Sequence, residues 1–351
     1  MTVGRELRII YMGTPEFAVA SLRRLVEAGY NVVAVVTVPD KPAGRGLHLQ
    51  PSAVKEYAMS AGLPVLQPEK LRDPAFVEAV HGLRPDLGIV IAFRMLPEVV
   101  WSIPRLGTFN LHASLLPQYR GAAPINWPII NGETLTGVTT FLLNSEIDKG
   151  DILARTEVAI APEETAGTLH DKLMAVGCDL VEETVELLAS GGAAAIPQLE
   201  TDDLRPAPKI FRDDCRIDWG WSGGRIVNLV RGLSPYPAAW SVLAGPDGQE
   251  ITVKIFEALF TPGTELPAGS TVRAWKLPAG LTVKVGEWSA GSIVGARELA
   301  AGSIVSDGKS YIRVVCADGW VTLKRLQLAG KKILTAEELL RGFKASEYRM
   351  E

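Results

Sequence analysis

The strongest constraint on the fold is a rhythm in the first third of the chain. Short, nearly continuous apolar runs recur there with polar or amphipathic stretches between them: LRIIYMG (7–13), NVVAVVTV (31–38), PVLQP (64–68), DLGIVIAF (86–93) and GTFNLHA (107–113). A strand half-exposed to water would alternate apolar and polar residues; a strand buried on both faces reads as these do. Such strands belong to parallel sheets covered by helices on each side. The stretch from about Pro15 to Ala28 fits the first covering helix, with a proline at its start and Gly29 just past its end. TGVTTFLLN (136–144) and DILARTEVAI (151–160) read as later strands, and a helix follows from about Thr168 to Ala189. The expectation is an α/β fold.

Beyond residue 189 the rhythm changes. SGGAAAIPQLETDDLRPAP (190–208) mixes small residues, prolines and acids, which places a linker at 191–208. After it, short strand-like runs (ITVKIFEAL, GLTVKVGEW, SYIRVVCA, WVTLKRLQL) alternate with turn signals, as in a small β-barrel or sandwich over 209–351. At 351 residues, two domains are expected. Residues 1–204 carry 16 basic and 25 acidic side chains, and 205–351 carry 20 and 15, so a net −9 half precedes a net +5 half. That split suits a second domain that meets a polyanion, or ordinary solvated surface. No apolar run reaches the ~20 residues a membrane helix needs, and MTVGRELRII has no signal-peptide core. Cys178, Cys215 and Cys316 are widely separated, and the four histidines lack paired spacing. Neither pattern suits a disulfide framework or a metal site; a cytoplasmic protein without a bound metal is expected.

Candidate chemistry centres on Asn110-x-His112. Side chains two apart on a strand project from one face, and in open parallel sheets ligands bind beyond the carboxyl ends of the strands. Asp148, in SEIDKGD, supplies a distant carboxylate. An amide and an imidazole can stabilise a developing oxyanion, while a carboxylate orients the ring or takes a proton, so the trio suits acyl chemistry on an amine. Singly, each residue also fits a cap, a core histidine or a hairpin turn. The segment after them, SLLPQYRGAAPINW, is too rich in proline, aromatic and Arg-Gly chemistry for a plain connection. The first turn, MGTPEF, lacks the G-x-G-x-x-G phosphate cradle, which disfavours a dinucleotide. PDKPAGRGLHLQPS (39–52) reads as an inserted loop carrying Lys41, Arg45 and His48, a candidate binding element.

With these residues assembled, the chain resembles the folate-dependent formyltransferases along nearly its whole length, and within them the tRNA-modifying branch. The resemblance rests on RIIYMGTPEFA, the PDKPAGRG loop, FNLHASLLPQYRGAAPI, the Asp148-Lys-Gly-Asp151 turn, CRIDW (215–219), SPYPAAW (234–240) and LQLAGKK (326–332). It implies a Rossmann-like catalytic domain over 1–190 and a smaller C-terminal barrel similar to an OB-fold. It implies 10-formyltetrahydrofolate as donor and initiator Met-tRNA as acceptor; a monomer is expected. Catalytic roles fall on Asn110, His112 and Asp148. Folate contacts fall on Phe93, Arg94, Met95 and Leu96 and on Ser114, Leu115, Leu116 and Pro117. Contacts to tRNA fall on Lys41 and Arg45, with Lys324, Arg325, Lys331 and Lys332 as barrel candidates.

Two departures from the family pattern stand out. AFRMLP (92–97) replaces the usual A-Y-G-x-x-L-P and is closer to the Arg-Ile-Leu of glycinamide ribonucleotide transformylase; roughly 262–297 reads as added barrel sequence. The rival activities are a formyltetrahydrofolate hydrolase, whose branch typically lacks Asn110 and the PAGRG loop, and another folate-dependent N-formyltransferase, which leaves a basic barrel unexplained.

Overall fold

The computed structural model describes residues 3–43, 48–245, 248–263, 271–272 and 299–351. They form two compact units. The first comprises 1–125, 135–160 and 168–208, and the second 126–134, 161–167 and 209–351. The expected cut between 190 and 209 therefore differs from these units at three places: 126–134, 161–167 and 191–208.

The chain begins β1 (Ile9–Gly13), α1 (Glu16–Glu27), β2 (Val32–Val36), β3 (Lys41–Ala43), β4 (His48–Gln50), α2 (Ala53–Ser60), β5 (Val65–Leu66), α3 (Pro74–Leu83) and β6 (Leu87–Ile91). It continues α4 (Glu98–Trp101), β7 (Thr108–His112), α5 (Asn126–Ile130), β8 (Leu135–Leu142), β9 (Ile152–Ala159) and α6 (Ala166–Ala189). One sheet runs β5-β2-β1-β6-β7-β8-β9. Its first five strands are parallel, and the chain order reverses direction across the β1/β6 pair. Every residue of β1 and β6 is buried, which is why those runs lack alternation. Helix punctuation follows the sequence: α1 starts after Pro15 and ends before a left-handed Gly29, and Ser52 and Asp73 cap α2 and α3 through their side chains.

Three local features change or add to the expectations. β8 joins β7 antiparallel, and β9 joins β8 antiparallel because the connection 143–151 makes a hairpin where a parallel return would need a longer crossover. The inserted loop is partly a hairpin, β3 pairing with β4; Arg45 lies outside the described residues. The linker is not a free tether. It runs as an extended strap along the first unit, with Ile196 exchanging backbone bonds with Ile152 (2.8 and 2.9 Å) and Arg205 and Ala207 bonding Tyr119, Arg120 and Ala123.

The second unit holds α7 (Gly223–Leu233), β10 (Ala239–Ala244), β11 (Glu250–Pro262), β12 (Thr271–Val272), β13 (Ile304–Ser306) and β14 (Ile312–Cys316). β15 (Gly319–Leu328), β16 (Leu334–Thr335), α8 (Ala336–Leu340) and β17 (Arg349–Met350) complete it. Its strands form a nearly closed antiparallel barrel in the order β12-β13-β14-β15-β11-β10-β17, with β16 on β15. Ile226, Leu229 and Leu233 of α7 pack into a core with Val253, Ile255, Val321 and Leu323. The α/β-plus-barrel expectation is borne out. Most of the added barrel sequence at 262–297 lies outside the described residues.

Candidate active site

β7 carries Asn110 and His112 to the carboxyl edge of the sheet. Asn110 is half-buried, and its Oδ1 is buried with no hydrogen-bond partner among the described residues. A buried acceptor left unpaired costs about 1–3 kcal/mol, so it marks a place where a donor belongs. His112 is buried, and its Nε2 lies 2.9 Å from the backbone carbonyl of Tyr119. That contact makes Nε2 the protonated nitrogen of the neutral ring and leaves Nδ1 free. Nδ1 lies 4.0 Å from Asp148 Oδ2, an ion-pairing distance too long for a hydrogen bond. The ring is thus oriented by Tyr119 rather than by Asp148, which differs from the expected carboxylate-fixed histidine.

Asp148 reaches this point from the β8–β9 turn in a left-handed conformation, φ 55°. Its Oδ2 accepts from the Gly121 amide at 3.1 Å. A Cβ at Gly150 would run into the Leu142 carbonyl, so only glycine lets the turn close this tightly. The turn thus brings Asp148 to His112, and Asn110 stands two residues before His112 on the same strand.

The SLLP loop leaves β7 directly. Buried Thr139 of β8 clamps it from both sides, donating to the Ser114 carbonyl (2.7 Å) and accepting from the Leu116 amide (3.2 Å). Ser114 Oγ donates to the Gln118 carbonyl at 2.6 Å. Leu116 is fully buried against Phe141 and Ile152, whereas Leu115 and Pro117 are half-buried. The 93–96 segment leaves β6 next to it, since Val90 pairs with Asn110 and Ile91 with Leu111. Leu96 packs into the core with Met12 and Val90, Phe93 is half-buried, and Met95 is 73% exposed. Arg94 donates to the carbonyls of Glu69 (2.9 Å) and Pro68, and burial lowers its pKa. Its guanidinium ties down the loop after β5.

Lys41 is exposed on the hairpin of the first unit, and Lys324, Arg325, Lys331 and Lys332 are exposed on the second. A register shift in β11 at Glu257, opposite Arg325, lets two successive β15 residues, Lys324 and Arg325, both face solvent. Three groups around the site were not anticipated: the Tyr119 carbonyl, Thr139, and Gln198, whose carboxamide donates to the Asp148 and Gly150 carbonyls. No helix among the described residues is long and apolar enough to cross a membrane.

A parallel sheet with Asn110 and His112 at its carboxyl edge, followed by an antiparallel barrel, matches one family in both parts. The chain belongs to the formyl transferase family, with residues 7–185 matching formyl transferase and 209–344 the formyl transferase C-terminal domain. It is 55% identical over 345 residues to methionyl-tRNA formyltransferase of Parabacteroides distasonis, covering 97% of this chain and 96% of that one. It is 51% identical over 350 residues to methionyl-tRNA formyltransferase of Bacteroides thetaiotaomicron, covering 98% of each. Among solved structures, the N-formyltransferase of Helicobacter canadensis, in complex with folinic acid and dTDP-3-aminofucose, has the same fold at TM-score 0.58 and 17% identity. It covers 90% of this chain and 98% of that one. HypX of Aquifex aeolicus with tetrahydrofolic acid aligns at TM-score 0.58 and 18% identity, over 95% of this chain and 47% of that longer one.

Proposed function

We propose that the protein transfers the formyl group of 10-formyltetrahydrofolate, in the cytoplasm, to the α-amine of methionine on initiator Met-tRNA. What supports this reading is an Asp148 carboxylate 4.0 Å from His112, with Asn110 two residues before it on β7, in a chain about half identical, over nearly its full length, to methionyl-tRNA formyltransferases. The folate donor supplies an activated formyl carbon. Half-buried Phe93, Leu115 and Pro117 and exposed Met95 offer apolar surface suited to its flat ring system, and Asn110, whose Oδ1 has no partner among the described residues, offers a polar one.

Asn110 donates an amide N–H to the formyl oxygen as negative charge gathers there. His112, with its Nε2 proton held by the Tyr119 carbonyl, takes the proton of the attacking amine at Nδ1 and delivers it to the folate nitrogen as the bond from that nitrogen to the formyl carbon breaks and tetrahydrofolate leaves. The imidazolium so formed is flanked by a carbonyl at 2.9 Å and the Asp148 carboxylate at 4.0 Å. Asp148 therefore acts by charge across a short gap. The amine attacks only when neutral, so the rate falls in acid. Lys41 and Arg45 meet the acceptor end of the tRNA, and Lys324, Arg325, Lys331 and Lys332 meet its phosphates.

The test is to incubate the purified protein with 10-formyltetrahydrofolate and, separately, Met-tRNA, free methionine or water. Formyl transfer to Met-tRNA alone is expected. Formate release at the same rate without any acceptor makes the protein a hydrolase and overturns the reading.

A further inference from the structure

Gln198 lies in the strap, outside every motif, yet its carboxamide is engaged at both ends. Nε2 donates to the carbonyls of Asp148 (2.9 Å) and Gly150 (2.8 Å). Oε1 accepts from Arg120 Nε (3.0 Å) and Nη2 (2.8 Å). The remaining arm of Arg120, Nη1, donates to Glu200 Oε1 at 2.8 Å, and this arginine holds the Glu200 carboxyl below its usual range. One side chain thus spans the two loops that flank His112. On one side is the turn that carries Asp148. On the other is Arg120, which follows Tyr119, the residue whose carbonyl holds the imidazole.

The turn needs such a hold. Asp148 sits in a left-handed conformation that costs a non-glycine residue about 1 kcal/mol or more. Among the described residues its side chain has a single hydrogen bond, from Gly121, and it lies 4.0 Å from the ring it serves. Gln198 is itself fixed between backbone anchors, Ile196 on Ile152 before it and Arg205 on Tyr119 after it. We infer that Gln198 is a positioning residue: it sets the Asp148 carboxylate against His112 while touching neither substrate. This rests on the reading of Asp148 given above.

The experiment measures steady-state formylation of Met-tRNA by the full chain carrying Gln198→Ala, Gln198→Glu, Asp148→Asn, or Asp148→Asn with Gln198→Ala. A misplacement near 1 Å costs up to about 100-fold, so Gln198→Ala lowers kcat roughly 10- to 100-fold while both KM values stay within about threefold. Gln198→Glu keeps the acceptor for Arg120 but sets an oxygen against two carbonyls, so it loses at least as much as Gln198→Ala. The double variant matches Asp148→Asn alone, because no carboxylate is left to position.

Three results would count against this. A wild-type kcat in both Gln198 variants, beside a crippled Asp148→Asn, overturns the positioning role alone. A Gln198→Ala loss repeated in full on the Asp148→Asn background also overturns it, since it shows action by another route. A wild-type rate in Asp148→Asn overturns the underlying reading instead. Should Gln198→Ala fail to fold, the isosteric Gln198→Glu, alone and combined with Asp148→Asn, makes the same comparisons.

Discussion

At the carboxyl edge of the parallel sheet, side chains are tied to segments far along the chain. Thr139 reaches back to Ser114 and Leu116, Asp148 bonds Gly121, and Gln198 joins Asp148 and Gly150 to Arg120. In the barrel unit many polar ties are local: Asp307 bonds the amides of Lys309, Ser310 and Tyr311, Thr335 and Glu338 cap α8, and Gln327 bonds the Lys331 carbonyl. The barrel's candidate cations stand in solvent. Long-range ties fix the relative placement of groups from different loops, which bond-making requires to within a fraction of an ångström. Local ties only shape turns, and cations that meet phosphates through a salt-dependent field need no more. On the proposed function, the contrast is a division of labour: the first unit serves geometry and the second charge.

Four variants test that division, in descending order of effect. Asn110→Ala removes the proposed oxyanion donor from the geometric region and is expected to lower kcat about 10²–10³-fold, read by single-turnover transfer. Gly223→Ala drives a Cβ into the Phe260 ring inside the barrel. Overpacking of this kind costs about 1–3 kcal/mol in denaturant unfolding, and kcat at saturating substrates stays at the wild-type level. A drop in kcat there breaks the comparison. Lys324→Ala with Arg325→Ala lowers the slope of log affinity for Met-tRNA against log salt by about 2, each neutralised phosphate contributing ~0.9. An unchanged slope removes these two from the binding surface.

The smallest effect concerns the Asp307 turn. Burial alone raises this carboxyl, but hydrogen bonds from the Ser310 hydroxyl and from the Ser310, Lys309 and Tyr311 amides outweigh it and hold the pKa at about 2. A carboxyl whose folded pKa is depressed stabilises the fold above its unfolded value, and that stability is lost as pH falls through the folded value. Asp307→Ala therefore costs about 1 kcal/mol at neutral pH, after discounting for solvent screening. The gap between the two proteins closes between about pH 4 and pH 2.

The two regions also differ in how far the sequence exposes them. Doubly buried β1 and β6 announce themselves as continuous apolar runs, and Pro15 and Gly29 bracket α1, so the parallel core was legible. The shared face of Asn110 and His112 follows from the period of a strand. The partner of His112 does not, because it is the backbone carbonyl of Tyr119, a group every residue type carries. Gln198 was hidden for a related reason. PQLETDD is polar and proline-bearing like a tether, and what orders it is pairing with Ile152 and Arg120, both distant in sequence. The antiparallel turn of β8 and β9 was half visible: Asp148-Lys-Gly-Asp151 reads as a hairpin, yet strand direction depends on how it pairs. In the barrel, alternation marks strands, but the shift that turns both Lys324 and Arg325 outward arises from the register with β11.

The division of labour is tested most directly by the salt dependence of Met-tRNA formylation, measured as kcat and as kcat/KM for the tRNA. With four cations neutralising phosphates, kcat/KM falls roughly 100-fold between about 50 and 200 mM salt. Over the same range kcat stays within about twofold, since saturated enzyme already holds its acceptor. A kcat/KM that is flat across that range, or a kcat that falls in step with it, contradicts the account.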